Sequence, residues 1–262
     1  MINFFRKKRK SLANDNKALK YTRYAIGEII LVVIGILIAL QINTWNINRI
    51  NSVKEIEYIS GLKNDLKKQI TALERSKNFS DYIINEAETL LRQYNSKSSF
   101  QEIDSLNATL SHLMYTNQYQ DISTTFNELN STGQLNLIQN KKLRSQVIEF
   151  YQNSSKHNIS INGNIVNVFY EHIFPVLKSS IVIQLKDFGH QVTKFNENEF
   201  ELKMRDQLKQ GSYQSPSEFE TINAVSARII TEAANRSYIK KSLEEAQVLV
   251  IDLESELKKG ND

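Results

Sequence analysis

Residues 25–42 read AIGEIILVVIGILIALQI, and within them twelve successive positions, Ile29 to Leu40, are apolar or Gly. At about 1.5 Å per residue, a helix over these eighteen residues rises roughly 27 Å, close to the hydrocarbon thickness of a bilayer. Tyr21 and Tyr24 stand before the run and Trp45 after it, where amphipathic rings favour the water–lipid boundary. The stretch therefore predicts a transmembrane helix over 25–45, with Tyr21, Tyr24 and Trp45 as interfacial anchors. A cleaved signal peptide fits poorly, because the run leaves as LIALQINTWN with no small residues at a cleavage site, and a lipoprotein signal needs a Cys that is absent. Residues 165–185 do not compete as a span, since Glu171, His172, Pro175 and Lys178 interrupt them.

Charge assigns the sides. The net charge of +4 over 262 residues, with a pI near 9.0, at first points to nucleic acid. The excess is local, however. Residues 1–24 hold eight cations (Arg6, Lys7, Lys8, Arg9, Lys10, Lys17, Lys20 and Arg23) against one anion, Asp15. The rest of the chain is slightly acidic, so a folded cationic face for nucleic acid is not expected. Cations next to a first span stay in the cytoplasm. These eight residues are thus topology-determining, and they divide the chain into a basic cytoplasmic tail (1–24), a transmembrane helix (25–45) and an extracytoplasmic domain (46–262). Phe4 and Phe5 beside the basic run also suit a segment lying on anionic lipid.

One carboxylate lies in the span. Glu28 is only about 4.5 Å of helical rise beyond Ala25, shallow enough to reach headgroups or Arg23. On a helical wheel Glu28, Gly35, Ala39, Ile42 and Asn46 fall within about 60° of one another. Gly35 and Ala39 form a small-xxx-small pair that lets two helices approach closely, and a polar residue on that face can bond across the pair. Glu28, Gly35 and Ala39 are therefore candidates for membrane association, as the contact face of a homodimer through the transmembrane helix.

FFRKKRK at 4–10 followed by KYTRYAIGEIILVVIGILIALQINTWN at 20–46 resembles the opening of a family of uncharacterised single-pass inner-membrane proteins of Gram-negative bacteria, a domain of unknown function. A weaker likeness covers FNELNSTGQLNLIQNKKLRSQVIEFY at 126–151, where Thr132 stands in place of a Ser before Gly133. The resemblance implies a bacterial inner-membrane anchor and a periplasmic domain. It implies no catalytic residue.

Beyond Trp45 the pattern is helical. Ile47, Ile50, Val53, Ile56, Ile59, Leu62, Leu66, Ile70 and Leu73 recur at steps of three and four, and Ile83, Ala87, Leu90 and Tyr94 continue them. The transmembrane helix is thus expected to run on as a long stalk to about Gln93, weakened only at Gly61, with a break at Ser96–Ser99. Further helices are expected near Phe100–Tyr115 and Thr124–Asn130, the latter ended by Gly133. Asn140 reads as an N-cap, and Ile159–Lys178 as a helix bent or stopped at Pro175. IVIQL at 181–185 reads as a short strand and GSYQSPS at 211–217 as a loop. Ser217 caps a last helix to about Lys259, with Phe219, Ile222, Ile229, Ala233, Ile239, Leu243, Ala246, Val250, Leu253 and Leu257 near one side. The fold class is all-α: one transmembrane helix continuing into a stalk, then an extracytoplasmic bundle in which the first and last helices pack antiparallel.

Chemical motifs are missing. Without Cys there is no disulfide, thiol nucleophile or Cys-held metal. His112, His157, His172 and His190 include no pair at i, i+4 spacing, and no HExxH, GxSxG, P-loop, GxGxxG or calcium loop occurs. Glu197, Glu199 and Glu201 alternate as on a strand but read as a solvated acidic run at a helix start. No catalytic residue, metal ligand or cofactor is therefore expected, and the chain is read as no enzyme. Its expected role is a membrane-anchored helical binding or assembly module (a scaffold, accessory subunit or sensor-like domain) whose partners are the bilayer, a second copy and an unidentified protein. The alternative is a membrane-tethered periplasmic enzyme whose active site carries no short motif.

Overall fold

In the computed structural model the described residues are 18–97, 99–181 and 216–259, with side chains from Thr22 onward. The cations Arg6 to Lys17, the segments 182–185 and 211–215, His190 and the Glu197–Glu201 run lie outside them, and Lys20 and Tyr21 are described by backbone alone. Among the described residues 88% are helical and none is in a strand, so the chain is all-α. It divides into two compact units, Met1–Glu57 and Tyr58–Asp262.

In the first unit the described chain is a single helix. It belongs to α1, which runs from Ala18 to Lys97 and stops where the Ser96–Ser99 break is expected.

The second unit is a bundle of three long helical stretches. The part of α1 from Tyr58 is one. The second is α4 (Lys141–Gly163), continued by a wide-turn segment over Asn164–Ile173 and by α5 (Phe174–Ser179). The third is α6 (Glu218–Lys259). Tyr94 Oη, Ser80 Oγ and Lys67 Nζ bond Glu218, Glu232 and Glu254 in turn, so α6 is antiparallel to α1. Asn164, His157, Gln146 and Asn140 meet Asn235, Ser242, Asp252 and Glu256, so α6 is antiparallel to α4 as well. Short elements fill the remaining sides: a 3₁₀ turn at Phe100–Glu102, α2 (Leu106–His112), α3 (Thr124–Ser131) and a 3₁₀ turn at Gln134–Leu137.

Side chains set the ends of these elements. Asn140 Oδ1 accepts from the backbone N–H groups of Lys142 and Leu143 at the start of α4. Ser217 and Glu220 form a reciprocal capping box on α6. Gly133 takes the left-handed conformation (φ 68°) after α3. Two caps come from other helices. Asp65 of α1 accepts from Thr125 N at 2.8 Å, and Glu218 of α6 accepts from Phe100 N at 3.0 Å. Gly61, one turn before Asp65, lies against α3: a Cβ there would lie 2.9 Å from both Thr125 Cγ2 and Oγ1. The glycine that weakens the helix in sequence is thus a contact point in the fold.

Three readings need correction. First, 100–115 is two short elements, because Ile103 turns extended (φ −100°, ψ 103°) to bury its side chain and Glu218 holds the first turn as a unit of its own. Second, Pro175 does not stop its helix, which continues to Ser179. The segment before it has widened to i→i+5 bonding, with Phe174 N donating to Phe169 O. A proline ring collides with the carbonyl four residues back in an α-helix, and a wider turn relieves that clash. The buried positions His157, Ile161, Ile165, Phe169, Ile173 and Leu177 step strictly by four. On an α-helix such a run drifts by about 40° per step, and the wider turn keeps it facing the core. Third, the apolar stripe assigned to α6 is mixed in its N-terminal half, where Ile222 and Ile229 pack on the core but polar side chains share the buried face. Phe219 is 71% exposed, while Thr221, Arg228, Thr231, Glu232 and Asn235 are buried.

Candidate functional site

Two features stand out: the apolar surface of the first unit and a buried polar seam in the second. On α1 the most apolar eighteen-residue window has a mean hydropathy of 2.6 and none of it is buried. Ile29 to Leu40 is exposed on every side, and Trp45 is 65% exposed. Tyr24 and Glu28 are half-buried, one turn apart, and Arg23 is exposed. Gly35 opens onto empty space, as does Gly27, since a Cβ at either would meet nothing within 4 Å. Ala39 is exposed as well. This is one helix long and apolar enough to cross a membrane.

The seam lies between the apolar ends of the bundle. One end packs Leu62 and Leu66 against Leu129, Val147, Phe150 and Leu253. The other packs Ile83, Leu90, Leu110, Phe169, Leu177 and Val225. A third, smaller apolar cluster joins Leu73, Tyr119, Ile161, Ile165 and Ile239. Beside the second end Arg228, fully buried, stacks its guanidinium 4.4 Å from the Phe169 ring centroid. Its Nη2 donates to the Tyr115 carbonyl at 2.6 Å. Its Nη1 stands 2.9 Å from Glu232 Oε1, at ion-pair distance but off hydrogen-bond alignment, and Nε has no partner. The other Glu232 oxygen accepts from Ser80 Oγ at 2.8 Å. Burial pulls the Arg228 pKa down, and the neighbouring Glu232 opposes that pull.

The connection from Tyr115 to Ser123 has no helix of its own, so its backbone groups need partners from elsewhere. Gln69 bonds it twice, donating to Gln120 O and accepting from Ile122 N, and Asn117 donates to Ser76 Oγ. Asp65, Gln69, Ser76 and Ser80 share one buried face of α1. The polar seam ties this irregular segment to the bundle, with Tyr119 as its buried residue.

A second polar chain follows. Tyr119 Oη meets Ser154 Oγ at 2.8 Å, Ser154 donates to Asp121, and His157 Nδ1 meets Ser242 Oγ at 2.8 Å. Burial raises the Tyr119 pKa and lowers that of His157. A serine beside a histidine invites comparison with a nucleophile and its base. Ser242 is fully buried, however; Asp121 bonds Ser154, and Glu245 acts on the imidazole through its charge alone, with no hydrogen bond to it among the described residues. His112 pairs with Tyr82 and Glu86, and His172 is exposed on the wide-turn segment. Among the described residues no three His, Asp or Glu side chains group as metal ligands. Shallow grooves open elsewhere, one of about 330 Å³ between α4 and α6 and one of about 430 Å³ beside Phe126 and Tyr151.

Residues 28–180 match DUF6090, a family of unknown function, over more than half of the chain. The chain belongs to the DUF6090 family. The DUF6090 match takes in the apolar run from Glu28 and continues to Ser180, so the apolar helix and most of the second unit are part of what defines the family. It stops short of α6, which supplies Arg228 and Glu232. No curated protein and no solved structure matches the chain.

Sequence reasoning missed Arg228, Glu232 and Ser80. Their signal is a polar i, i+4 pair inside a three-four stripe (Thr221, Val225, Arg228, Glu232, Asn235, Ile239, Ser242, Ala246), which only the burial of that face makes visible.

Proposed function

We propose that this chain is a membrane-anchored helical module that binds or assembles partners, held in a bacterial inner membrane by α1 with its basic N-terminus in the cytoplasm and the second unit in the periplasm. The observation that carries the anchor is the exposed apolar surface from Ile26 to Ile42. At about 1.5 kcal/mol or more for each large side chain, leaving it in water costs roughly 20 kcal/mol, which a bilayer removes. The cations before the span and the resemblance to single-pass proteins of Gram-negative bacteria support the orientation. Gly35 and Ala39, four residues apart on one side of the helix, support pairing of two anchors.

A binding role is favoured over catalysis by the state of the reactive side chains. His157, Ser242 and Tyr119 are buried and bond their neighbours inside the core, which supports a structural role for them. Alkaline carbonate extraction tests the anchor. The full chain should stay in the membrane pellet, and a chain lacking residues 1–45 should be water-soluble and mostly helical by far-UV circular dichroism. Release of the full chain by carbonate would overturn the anchor. A deletion chain that needs detergent would overturn the claim that the second unit is a soluble domain.

A further inference from the structure

α4 and α6 leave a groove of about 330 Å³ along their antiparallel contact. Phe150 and Leu249, both core residues, close its floor. Val248 on its edge is 58% exposed, and Ile251, one turn along, is 66% exposed. Branched aliphatic side chains on the wet face of a helix, next to an open groove, form the kind of apolar surface that a partner covers. The walls are acidic: Glu149, Glu244 and Glu245 line the groove with no cation among the lining residues. Glu245 Oε2 is shut off from water and has no hydrogen-bond partner among the described residues, and its charge acts on His157 and Tyr119 inside the core, so the exposed carboxylates of the groove are Glu149 and Glu244. Lys156 and Lys241 stand about one turn beyond Asn153 and Glu245 and, like Glu245, act electrostatically on His157.

We propose that this groove docks a basic amphipathic helix of a partner protein. A trough between two packed helices takes a third helix along its length, read through anchors at i, i+3 and i+4. Leucine-like anchors would cover Val248 and Ile251. A lysine or arginine would lay its aliphatic stem on the same apolar strip and deliver its charged end to the two exposed glutamates, Glu149 and Glu244. The trough from Gln146 beside Asp252 to Asn153 beside Glu245 is about 10 Å, or two turns, by helical rise, longer than a single ammonium needs. This names the partner chemistry for the binding role proposed above, and it is tested where anchoring is not the readout.

The full chain in lipid nanodiscs is used to select from a yeast-displayed library of 18-residue helical peptides, with counter-selection on empty nanodiscs. Enriched peptides are expected to combine Lys or Arg with Leu or Ile at helical spacing. Their binding should weaken about tenfold or more in the Glu149→Lys/Glu244→Lys protein and in Val248→Asp. It should be unchanged in Glu102→Lys/Glu171→Lys, which shifts net charge equally at exposed sites elsewhere. Circular dichroism confirms that each variant keeps its helix. No enrichment over empty nanodiscs, enriched peptides without basic residues, or binding indifferent to the groove reversals would overturn the proposal. So would a photo-crosslinker at Val248 that joins two copies of this chain.

Discussion

Replacing Arg228 by Met removes a buried cation while leaving its partners in place. Glu232, whose side chain is 4% exposed, then keeps its charge in the core with Ser80 as its one hydrogen-bond donor. The Tyr115 carbonyl loses the Nη2 donor that holds the start of the irregular segment. Breaking a buried ion pair from one side costs about 3–5 kcal/mol, and with total stability of about 5–15 kcal/mol the variant should be close to unfolding. Removing both charges should be much milder. Arg228→Met/Glu232→Leu removes the acceptor of Ser80 Oγ and the Nη2 donor to the Tyr115 carbonyl, at about 1–3 kcal/mol each before relaxation, and gains apolar packing on Phe169. The double variant should therefore be more stable than Arg228→Met alone, with a coupling of about 2 kcal/mol or more. Urea unfolding of the detergent-solubilised full chain, followed at 222 nm, measures all three. An Arg228→Met cost below about 1 kcal/mol, or costs that simply add, would refute the reasoning that the pair is a desolvated charge unit.

Gly61→Ala gains about 1 kcal/mol of helix propensity but drives a methyl into Thr125, so the full chain should lose about 1 kcal/mol net; in a Thr125→Ala background the same change should stabilise, and urea midpoints show the reversal of sign. Burial holds His157 below the ordinary histidine range, so its contribution is complete above a pH of about 6.5 and is lost as pH falls through the lowered folded value. Thermal melts should show stability dropping between about pH 7 and 5, and His157→Gln should flatten that slope; an unchanged slope would assign the dependence to other groups. Gly35→Ile should abolish pairing of the isolated span in a membrane two-hybrid assay without preventing insertion, and Gly27→Ile should do much less. Equal pairing of wild type and Gly35→Ile would make the small residues incidental.

The long helices were legible because their signals are local. Asn140 and Ser217 cap where their side chains can reach the first turn, and steps of three and four located α1 from Ile59 to Leu90. What stayed hidden depends on contacts between distant residues. Gly61 reads as a weak point until Thr125 is seen against it. Phe100–Tyr115 has helix-forming composition, yet Glu218, more than a hundred residues away, decides where its first turn ends. The step of four from His157 to Leu177 was present in the sequence, but Pro175 drew attention to a break where the wider turn absorbs it. The polar face of α6 is the hardest case, because hydrophobic periodicity assumes that the buried side is apolar. For Arg228 and Glu232 the buried side is the charged one.

The chain has no Cys, so a single introduced thiol reports on one place without background. Ser11→Cys, Val33→Cys and Ser255→Cys, each treated in cells with a membrane-impermeant maleimide after opening the outer membrane, test the anchor and its direction together. The account predicts that Ser255→Cys labels at once, Ser11→Cys only after lysis, and Val33→Cys only after detergent denaturation. Labelling of Val33→Cys in water would contradict the membrane span, and labelling of Ser11→Cys with protection of Ser255→Cys would contradict its orientation.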